Sequence, residues 1–381
     1  MRNNTTVLVA CGREPVGKIA VMRTVTLCCW FNEAIRNLTQ TYLSLHIVST
    51  SNRCPDNTKL QNLTSVSEFH LNVLSEDPDL QQIFFVLFLL IYLLTVLGNL
   101  LIILAISYVS HLHTPMYFFL SNLSLADICF ISTTVPHMIV NIQLHKKVIS
   151  YVSCVTQMSF FGIFGCMDDL LLTVMAYDRY VAICHPLKYS IIMNPQRCAF
   201  LVLVCFLFSL LDTQLHNLII LNFPYFKDVE ISNFFCNPPQ LLSLVCSDIF
   251  TSNLLMYFTG TIFGFLPISG ILCSYCEIIS SILKIPSTSG KYKAFSTCGS
   301  HLLVVCLFYG TGLGVCLFSD VSSFPRESVI ASVMYTVVTP MLNPFIYSLR
   351  NKDIKSAMRI LYNRIMPKFS IVNISWIMQK N

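Results

Sequence analysis

Seven separate stretches of this 381-residue chain are long and apolar enough to cross a lipid bilayer. A spanning helix needs about 20 mostly apolar residues, because roughly 30 Å of hydrocarbon is crossed at about 1.5 Å per residue. Within lipid the backbone must satisfy its own hydrogen bonds, which favours helices. The spans are predicted at 83–108, 115–140, 152–184, 198–221, 253–284, 295–319 and 328–349. The sequence therefore predicts an all-α membrane protein, a seven-transmembrane helix bundle.

The distribution of basic residues predicts how this bundle is oriented. Only 11% of the residues are charged, against about 25% in a typical soluble protein. The 62–82 stretch before the first span has no Lys or Arg, whereas the chain after the last span is basic, with Arg350, Lys352, Lys355, Arg359, Arg364 and Lys368. Basic residues favour the cytoplasmic side, so the N-terminus is expected outside and the C-terminus in the cytoplasm. This asymmetry accounts for the net charge of +5, and no feature indicates nucleic-acid binding.

The spans divide the chain into three predicted regions. Residues 1–82 form an extracellular N-terminal region, of which 1–60 is an atypical extension expected to be disordered. Residues 83–349 form the membrane domain, and 350–381 form a cytoplasmic amphipathic helix and tail. The N-terminal region contains N-x-Ser/Thr glycosylation acceptors at Asn3, Asn4, Asn37 and Asn62. Of these, Asn62 lies closest to the first span.

Two adjacent charges, Asp178 and Arg179, lie where the third span meets its predicted cytoplasmic boundary. Ionisable residues in or beside a spanning helix are costly and usually functional. A functional interpretation is a switch at the inner end of this helix. The structural alternative is an Arg that extends its head group to the lipid interface.

Polar residues inside the spans suggest an ion site. Asp127 lies midway in the second span, Asp168 in the third, Asn99 in the first, and Asn343 in the seventh. Two neighbouring carboxylates in a low dielectric need a cation or a proton to compensate their charge. A buried cation bound by these four residues would provide it. Protonated acids that hydrogen-bond between helices would do so equally well, and both explanations stay open.

The third span also has a periodic face. Its residues recur at steps of three or four, at Phe161, Gly165, Asp168, Leu172, Met175 and Arg179. This spacing puts them on one side of the helix. If that side faces the bundle interior, it connects a ligand near Phe161 with Arg179. Any buried helix has such a stripe, however, so the pattern permits coupling without demonstrating it.

Prolines predict irregular helices in the second half of the bundle. Pro267 in the fifth span and Pro340 and Pro344 in the seventh each remove a backbone donor, so those helices should kink. Tyr275 and Tyr347 lie near the inner ends of the same helices. We hypothesise that both exchange hydrogen-bond partners with Arg179 when the helices shift.

Five motifs together give the chain a resemblance to a known family. They are HTPMYFFLSNLSLADICF at 113–130, MAYDRYVAICHPL at 175–187, SY at 274–275, KAFSTCGSHL at 293–302 and PMLNPFIYSLRN at 340–351. In this order, over roughly residues 60–363, the sequence resembles an odorant receptor of the rhodopsin-like G-protein-coupled family. The resemblance implies a multi-pass plasma-membrane receptor that binds a small volatile odorant and activates a stimulatory olfactory G protein, raising cyclic AMP. It implies no enzymatic activity and no cofactor beyond an allosteric sodium ion.

The resemblance also implies roles for individual residues. Cys154 would pair with Cys236 in a disulfide, and Asp178, Arg179, Tyr275 and Tyr347 would form the G-protein switch. Asn99, Asp127, Asp168 and Asn343 would match sodium-site positions. The ligand-binding residues would be Met158, Phe161, Gly162, Gly165, Cys166, Thr259, Phe263, Tyr309 and Gly312, with Tyr309 as the rotamer switch at the pocket floor.

These positions predict a small, neutral, apolar ligand. Phe161 occupies the position at which amine receptors of the wider family place a carboxylate, so a cationic ligand would lack that partner. Burial of apolar surface would then supply most of the binding energy, at about 25 cal/mol per Å². Asp212 and His216 in the fourth span would either add polarity to the pocket or form a buried pair between helices.

The same sequence is compatible with three other functions. The first alternatives are a receptor for an endogenous metabolite outside the nose and a non-functional receptor-gene product. A non-functional product is indicated by Tyr225, which stands where many odorant receptors have a cysteine that pairs with the equivalent of Cys246. A more remote alternative is an ion transporter or channel, although no inverted repeat is visible.

Overall fold

Helices that cross the membrane dominate the computed structural model, which describes residues 67–365 apart from 73, 76, 146, 222–225, 227, 246–253, 255–257 and 319–324. In this part of the chain, seven helices are long and apolar enough to span a bilayer, which confirms the predicted bundle. The first six spanning helices are α1 (Pro78–Tyr108), α2 (Pro115–Leu144), α3 (Tyr151–Cys184), α4 (Pro195–Leu221), α5 (Phe258–Leu283) and α6 (Thr288–Phe318). The seventh, α7, comprises Pro325–Val333, Met334–Val338 and Thr339–Arg350, and α8 is Lys352–Ile365.

Local sequence signals explain where several of these helices begin and end. Asp77 caps α1 by accepting a hydrogen bond from the backbone N–H of Asp79 at 3.0 Å, and Pro78 occupies the first turn. Ser150 caps α3 in the same way through Ser153, at 3.2 Å. At the end of α2, His145 adopts the left-handed conformation that often terminates a helix, with φ 49°.

The predicted proline irregularities coincide with π-helical segments. The segment Thr261–Phe265 lies within α5 and ends two residues before Pro267. The segment Met334–Val338 of α7 likewise ends two residues before Pro340. Because proline lacks an N–H and clashes with the carbonyl four residues earlier, the preceding turn widens. Residues from the outer half of each helix are thereby rotated relative to the inner half.

A small sheet covers one end of the bundle, which we call the lid end. It consists of β1 (Glu68–Leu71), β2 (Val148–Ser150) and β3 (Glu230–Ile231), in the order β2-β1-β3. The central strand, β1, is antiparallel to β2 and parallel to β3. It belongs to the N-terminal region, so this segment packs against the membrane domain. The sequence patterns predicted no strands here.

Aromatic packing and a disulfide fasten the lid end. Phe69 of β1 is fully buried and meets the ring of Phe226 edge-on, with centroids 5.1 Å apart. Cys154, in the first turn of α3, forms a disulfide with Cys236, and their Cα atoms are 5.5 Å apart. The side chain of Gln157 accepts a hydrogen bond from the Cys236 backbone N–H at 3.0 Å. The connection between α4 and α5 is thus fixed to α3 at several points.

Exposed apolar side chains and close helix contacts fit a membrane environment. Leu90, Leu97 and Leu104 of α1 are about half exposed, as expected for side chains that contact lipid. On the opposite side, α1 approaches α7 so closely that a Cβ at Gly98 would lie 3.1 Å from the Pro344 ring. Small residues permit such backbone contacts in membrane bundles.

The amphipathic helix predicted after the last span corresponds to α8. Ile354, Ala357 and Leu361 form its buried face. The Tyr117 hydroxyl of α2 donates a hydrogen bond to Asp353 at 3.0 Å, while Arg364 lies over the Tyr108 ring at 4.8 Å. Both ends of α8 are therefore attached to the bundle. The predicted glycosylation acceptors Asn3, Asn4, Asn37 and Asn62, as well as Tyr225 and Cys246, lie outside the described residues.

Candidate functional site

At the end of the bundle opposite the lid, which we call the Arg179 end, a carboxylate is held by two partners. Asp178 is fully buried and accepts hydrogen bonds from the neighbouring Arg179 guanidinium. The Tyr189 hydroxyl, from a short helix after α3, donates to the other oxygen of Asp178 at 2.8 Å. Burial and the adjacent carboxylate raise the pKa of the Tyr189 phenol, so it remains a donor. Arg179 is thus oriented by a buried acid rather than extended freely to the interface.

A second hydrogen-bonded group at this end joins α3, α5 and α6. The Tyr275 hydroxyl lies 2.8 Å from Nδ1 of His301, whose Nε2 lies 3.1 Å from the Leu172 carbonyl. A carbonyl only accepts, so Nε2 carries the proton and Nδ1 accepts from Tyr275. His301 was missed by the sequence reasoning, although it lies in the KAFSTCGSHL motif. A histidine in an otherwise apolar span was the available signal.

The two tyrosines that are predicted to exchange partners differ in their hydrogen bonds. Tyr275 is bonded to His301, whereas the buried hydroxyl of Tyr347 has no hydrogen-bond partner in the described part of the chain. The Arg179 charge interacts electrostatically with both phenols. All of the predicted switch residues therefore lie at one end of the bundle, but neither tyrosine is bonded to Arg179 here.

The four predicted ion-site residues lie in the middle of the bundle, and all are buried. The Asn343 amide donates to both carboxyl oxygens of Asp127, at 2.9 and 3.1 Å. Asp168 and Asp127 interact electrostatically. Three buried oxygens lack a hydrogen-bond partner among the described residues, namely Asp168 Oδ1, Asn99 Oδ1 and Asn343 Oδ1. Such oxygens suit a hard cation.

No group of three or more His, Cys, Asp or Glu side chains that could bind a metal occurs in the described ranges. The amide oxygens of Asn99 and Asn343 would therefore have to complete any ion site around Asp127 and Asp168. The donor set consists of oxygens alone, which excludes a preference for the softer metals that favour sulfur or imidazole.

The predicted ligand-binding residues fall into two groups around α3. In the first group, the ring centroid of Phe161 lies 4.8 Å from that of Phe130 and 5.0 Å from that of Phe235 at the lid end. One turn further along α3, Gly165 lies near Phe130 and Tyr335. The ring of Tyr335 also faces Gly312 of α6. Aromatic rings from α2, α3 and α7 thus meet directly beneath the lid.

Tyr335 is the main ligand-site candidate that the sequence did not identify. Its ring contacts Phe130, Phe161 and Phe308, with centroids 5.5 to 6.3 Å apart. The only available signal was a single tyrosine in the outer half of an apolar span. Deeper in the bundle, the Tyr309 hydroxyl donates a short hydrogen bond to Asp169, joining α6 to α3.

The second group lies where α3, α4 and α5 meet. A Cβ at Gly162 would lie 3.0 Å from the Thr213 hydroxyl of α4. Thr259 is 3.2 Å from Nε2 of His216, and Phe263 packs near Phe208 at 6.4 Å. Cys166 lies close to Ser209 of α4. Met158 is separate from both groups, since it packs in the apolar core beneath the lid.

The structure also contains a cavity of about 70 Å³ at the lid ends of α1 and α2. It is lined by Leu74, Ser75, Gln81, Phe84, Asn141, Ile142, His145 and Lys147. None of the predicted ligand-binding residues is in this set. The cavity is therefore distinct from the aromatic group around Phe161.

Comparison with known proteins places this arrangement in a family. Residues 88–364 match the sequence model of the olfactory receptor family. Human olfactory receptor 7E24 is 69% identical over 314 residues, which cover 82% of this chain and 93% of that protein. Mouse olfactory receptor 7E178 is 67% identical over 305 residues, covering 80% and 92%. The crystal structure of squid rhodopsin has the same fold, with a TM-score of 0.62, 17% identity and coverage of 83% of this chain and 86% of that one.

Proposed function

Because this chain belongs to the olfactory receptor family, we propose that it binds a small neutral odorant in the helix bundle and activates a stimulatory olfactory G protein, raising cyclic AMP. As a member of this family it is a multi-pass plasma-membrane receptor and not an enzyme. The finer assignments below concern the ligand, the ion and the residues that transmit the signal.

The observation that carries this proposal is the set of contacts along α3. Near the lid, Phe161 and Gly165 meet the aromatic rings of α2 and α7. Below them, Asp169 accepts from Tyr309, and the Leu172 carbonyl is bonded to His301, so α6 is attached to α3 twice. At the far end of the same helix lies Arg179. A ligand that displaces the rings near Phe161 would therefore act directly on the α3–α6 contacts.

The rings around Phe161 favour a ligand with a large apolar body. Phe130, Phe161 and Tyr335 present aromatic surface toward one another, and Phe235 closes this group from the lid. Burying apolar ligand surface here would contribute about 25 cal/mol per Å². This favours a neutral odorant over a charged one.

A sodium ion would fit the middle of the bundle. The unpartnered oxygens of Asp168, Asn99 and Asn343 provide the ligands, and the ion would compensate the Asp127–Asp168 repulsion. When bound, the ion would supply charge compensation without any covalent chemistry. Asn343 would then position both the ion and the Asp127 carboxylate.

The Arg179 end is proposed as the G-protein contact. While Asp178 is held by Arg179 and Tyr189, the guanidinium has a partner within its own helix. Movement of Tyr275 and Tyr347 toward Arg179 would give it alternative partners. Both are phenols on α5 and α7, which also contain the π-helical segments.

Cyclic AMP measurements in cells expressing the receptor test this function. We expect at least one neutral odorant from a diverse panel to raise cyclic AMP, and an Arg179→Ala variant with equal surface staining to give no response. A matched Arg326→Ala variant, which removes an exposed Arg from the first turn of α7 at the opposite end of the bundle, should retain it. Strong surface staining with no response to any odorant would contradict the proposal. If surface staining is weak, a Tyr225→Cys variant tests whether a missing loop crosslink is the cause.

A further inference from the structure

One face of α4 has polar groups that the proposed function does not use. Ser209, Asp212, Thr213 and His216 recur at steps of three or four, so they share a side of the helix. That side contacts three predicted ligand-binding residues, Gly162, Cys166 and Thr259. We refer to these four α4 residues as the α4 polar face. It lies in the membrane-spanning part of the chain, where ionisable residues are generally functional.

Two oxygens of the α4 polar face are left unsatisfied. The hydroxyl of Thr213, which is only 3% exposed, and the Oδ1 atom of Asp212 are buried without a hydrogen-bond partner in the described part of the chain. A buried polar group without a partner is costly, and in native proteins it usually indicates a missing water, ion or ligand. Both oxygens are available as acceptors.

The neighbouring histidine does not satisfy Asp212. Nδ1 of His216 lies 2.8 Å from the Asp212 backbone carbonyl and 3.5 Å from its carboxyl oxygen. Its hydrogen therefore points to the carbonyl, and Nε2 faces the Thr259 hydroxyl at 3.2 Å. The imidazole joins α4 to α5, while the carboxyl oxygen remains beside it as an acceptor.

We propose that the α4 polar face selects odorants with a hydroxyl group, which donates a hydrogen bond to Asp212. This inference rests on the proposed function and adds a substrate class to it. The apolar body of the ligand lies against the predicted ligand-binding residues that border this face, Gly162, Cys166 and Thr259. Its hydroxyl donates to Asp212 and accepts from the Thr213 hydroxyl.

The chemistry separates this class from its close analogues. An alcohol donates through its O–H, whereas an ether of the same carbon skeleton has only acceptor lone pairs. The ether can accept from the Thr213 hydroxyl but cannot donate to Asp212, so it leaves the Asp212 oxygen unpaired in a buried site. Sites that bind a substrate hydroxyl discriminate strongly against analogues without it.

Octanol and octyl methyl ether form the test pair, applied to the full-length receptor in cells and after purification into lipid nanodiscs. We expect octanol to bind about tenfold or more tightly than the ether, as the cost of leaving one buried acceptor unpaired implies. Asp212→Leu should remove this preference, and Asp212→Asn should lower it because the amide NH2 group can donate to the ether oxygen. Thr213→Val should weaken the binding of both ligands about threefold and leave their ratio unchanged. The control Thr133→Val, whose hydroxyl bonds within its own α2 helix, should leave the preference unchanged.

The outcomes also separate this inference from the proposed function. An alcohol-to-ether ratio near one in the native receptor, or a ratio that Asp212→Leu leaves unchanged, overturns it. If Asp212→Leu does not reach the surface, the Asp212→Asn ratio decides, and an unchanged ratio there overturns the inference. If cyclic AMP responds to no odorant while octanol still binds the nanodisc receptor tenfold better than its ether, the signalling proposal fails and the α4 assignment stands.

Discussion

The two ends of the bundle are held together by different kinds of interaction. At the lid end, the Cys154–Cys236 disulfide, three paired strands and the fully buried Phe69 join distant parts of the chain. At the Arg179 end, an apolar core that includes Leu112, Phe119 and Ile282 packs the helices together. Single hydrogen bonds position its polar groups, from Tyr189 to Asp178 and from Tyr275 to His301. The lid end therefore has a covalent bond between distant segments, whereas the polar contacts of the Arg179 end can be exchanged one bond at a time.

This difference indicates which end can change conformation at low cost. A typical hydrogen bond contributes a net of about 1 kcal/mol, and exchanging it for another costs less still. A disulfide and a buried aromatic side chain each contribute several times as much. A ligand that supplies a few kcal/mol of differential binding can therefore rearrange the Arg179 end while the lid end stays in place. The predictions below test this contrast, from the largest expected effect to the smallest.

Phe69→Ala should have the largest effect, lowering the free energy of unfolding by about 3–5 kcal/mol because it empties the centre of the lid core. Thermal unfolding of the purified receptor in nanodiscs measures it. Phe160→Ala is the matched control, since that ring is half exposed toward lipid. Equal melting temperatures for the two variants would show that the N-terminal strand does not stabilise the lid.

Cys236→Ser should lower the free energy of unfolding by about 2–4 kcal/mol. Without the disulfide, the unfolded chain is no longer closed into a large loop and regains conformational entropy. Surface staining should fall in parallel, and the variant should lose the sensitivity to reducing agent that the native receptor shows. Cys306→Ser, which removes an exposed free thiol, serves for comparison and should behave like the native receptor. A Cys236→Ser variant with native stability would mean that hydrogen bonds alone hold the lid.

Tyr275→Phe should cost about 1–3 kcal/mol, because it leaves Nδ1 of His301 buried without a donor. The measurement is again the melting temperature in nanodiscs. The effect should be smaller than that of either lid variant. A loss as large as that of Phe69→Ala would contradict the proposed difference between the two ends.

Tyr347→Phe should change stability by no more than about 0.5 kcal/mol, since its hydroxyl has no hydrogen-bond partner among the described residues. Ligand-driven cyclic AMP should nevertheless fall, because the hydroxyl is needed as the alternative partner of Arg179. Measuring both quantities on one variant separates resting contacts from switching contacts. Unchanged signalling would count against an exchange of tyrosine partners.

The membrane helices could be predicted from the sequence because their signal is local and long. About 20 apolar residues suffice to identify a span, and the prolines indicated where α5 and α7 depart from regular geometry. The lid sheet has no such signal. Its strands have four, three and two residues, and β1 pairs with segments far along the chain. No short-range pattern specifies such a register.

The candidate site was predictable in part, for the same reason. Helical spacing identified the α3 face from Phe161 to Arg179, but spacing on one helix does not show which residue of another helix contacts it. Tyr335 and His301 were missed because each is a single side chain opposite that face. The division of the ligand-binding residues into two groups likewise depends on how α4, α5 and α7 pack around α3.

The central position of β1 sets an order of events in biosynthesis. This strand is synthesised before both of its neighbours, and the segment that follows it bonds to a residue 160 positions later, in the contact of Asn72 with Ser232. At about 5–20 residues per second, the strand waits on the order of ten to thirty seconds for its last partner. During that interval four of the seven spanning helices are made. The lid sheet can therefore close only after α4 has been synthesised.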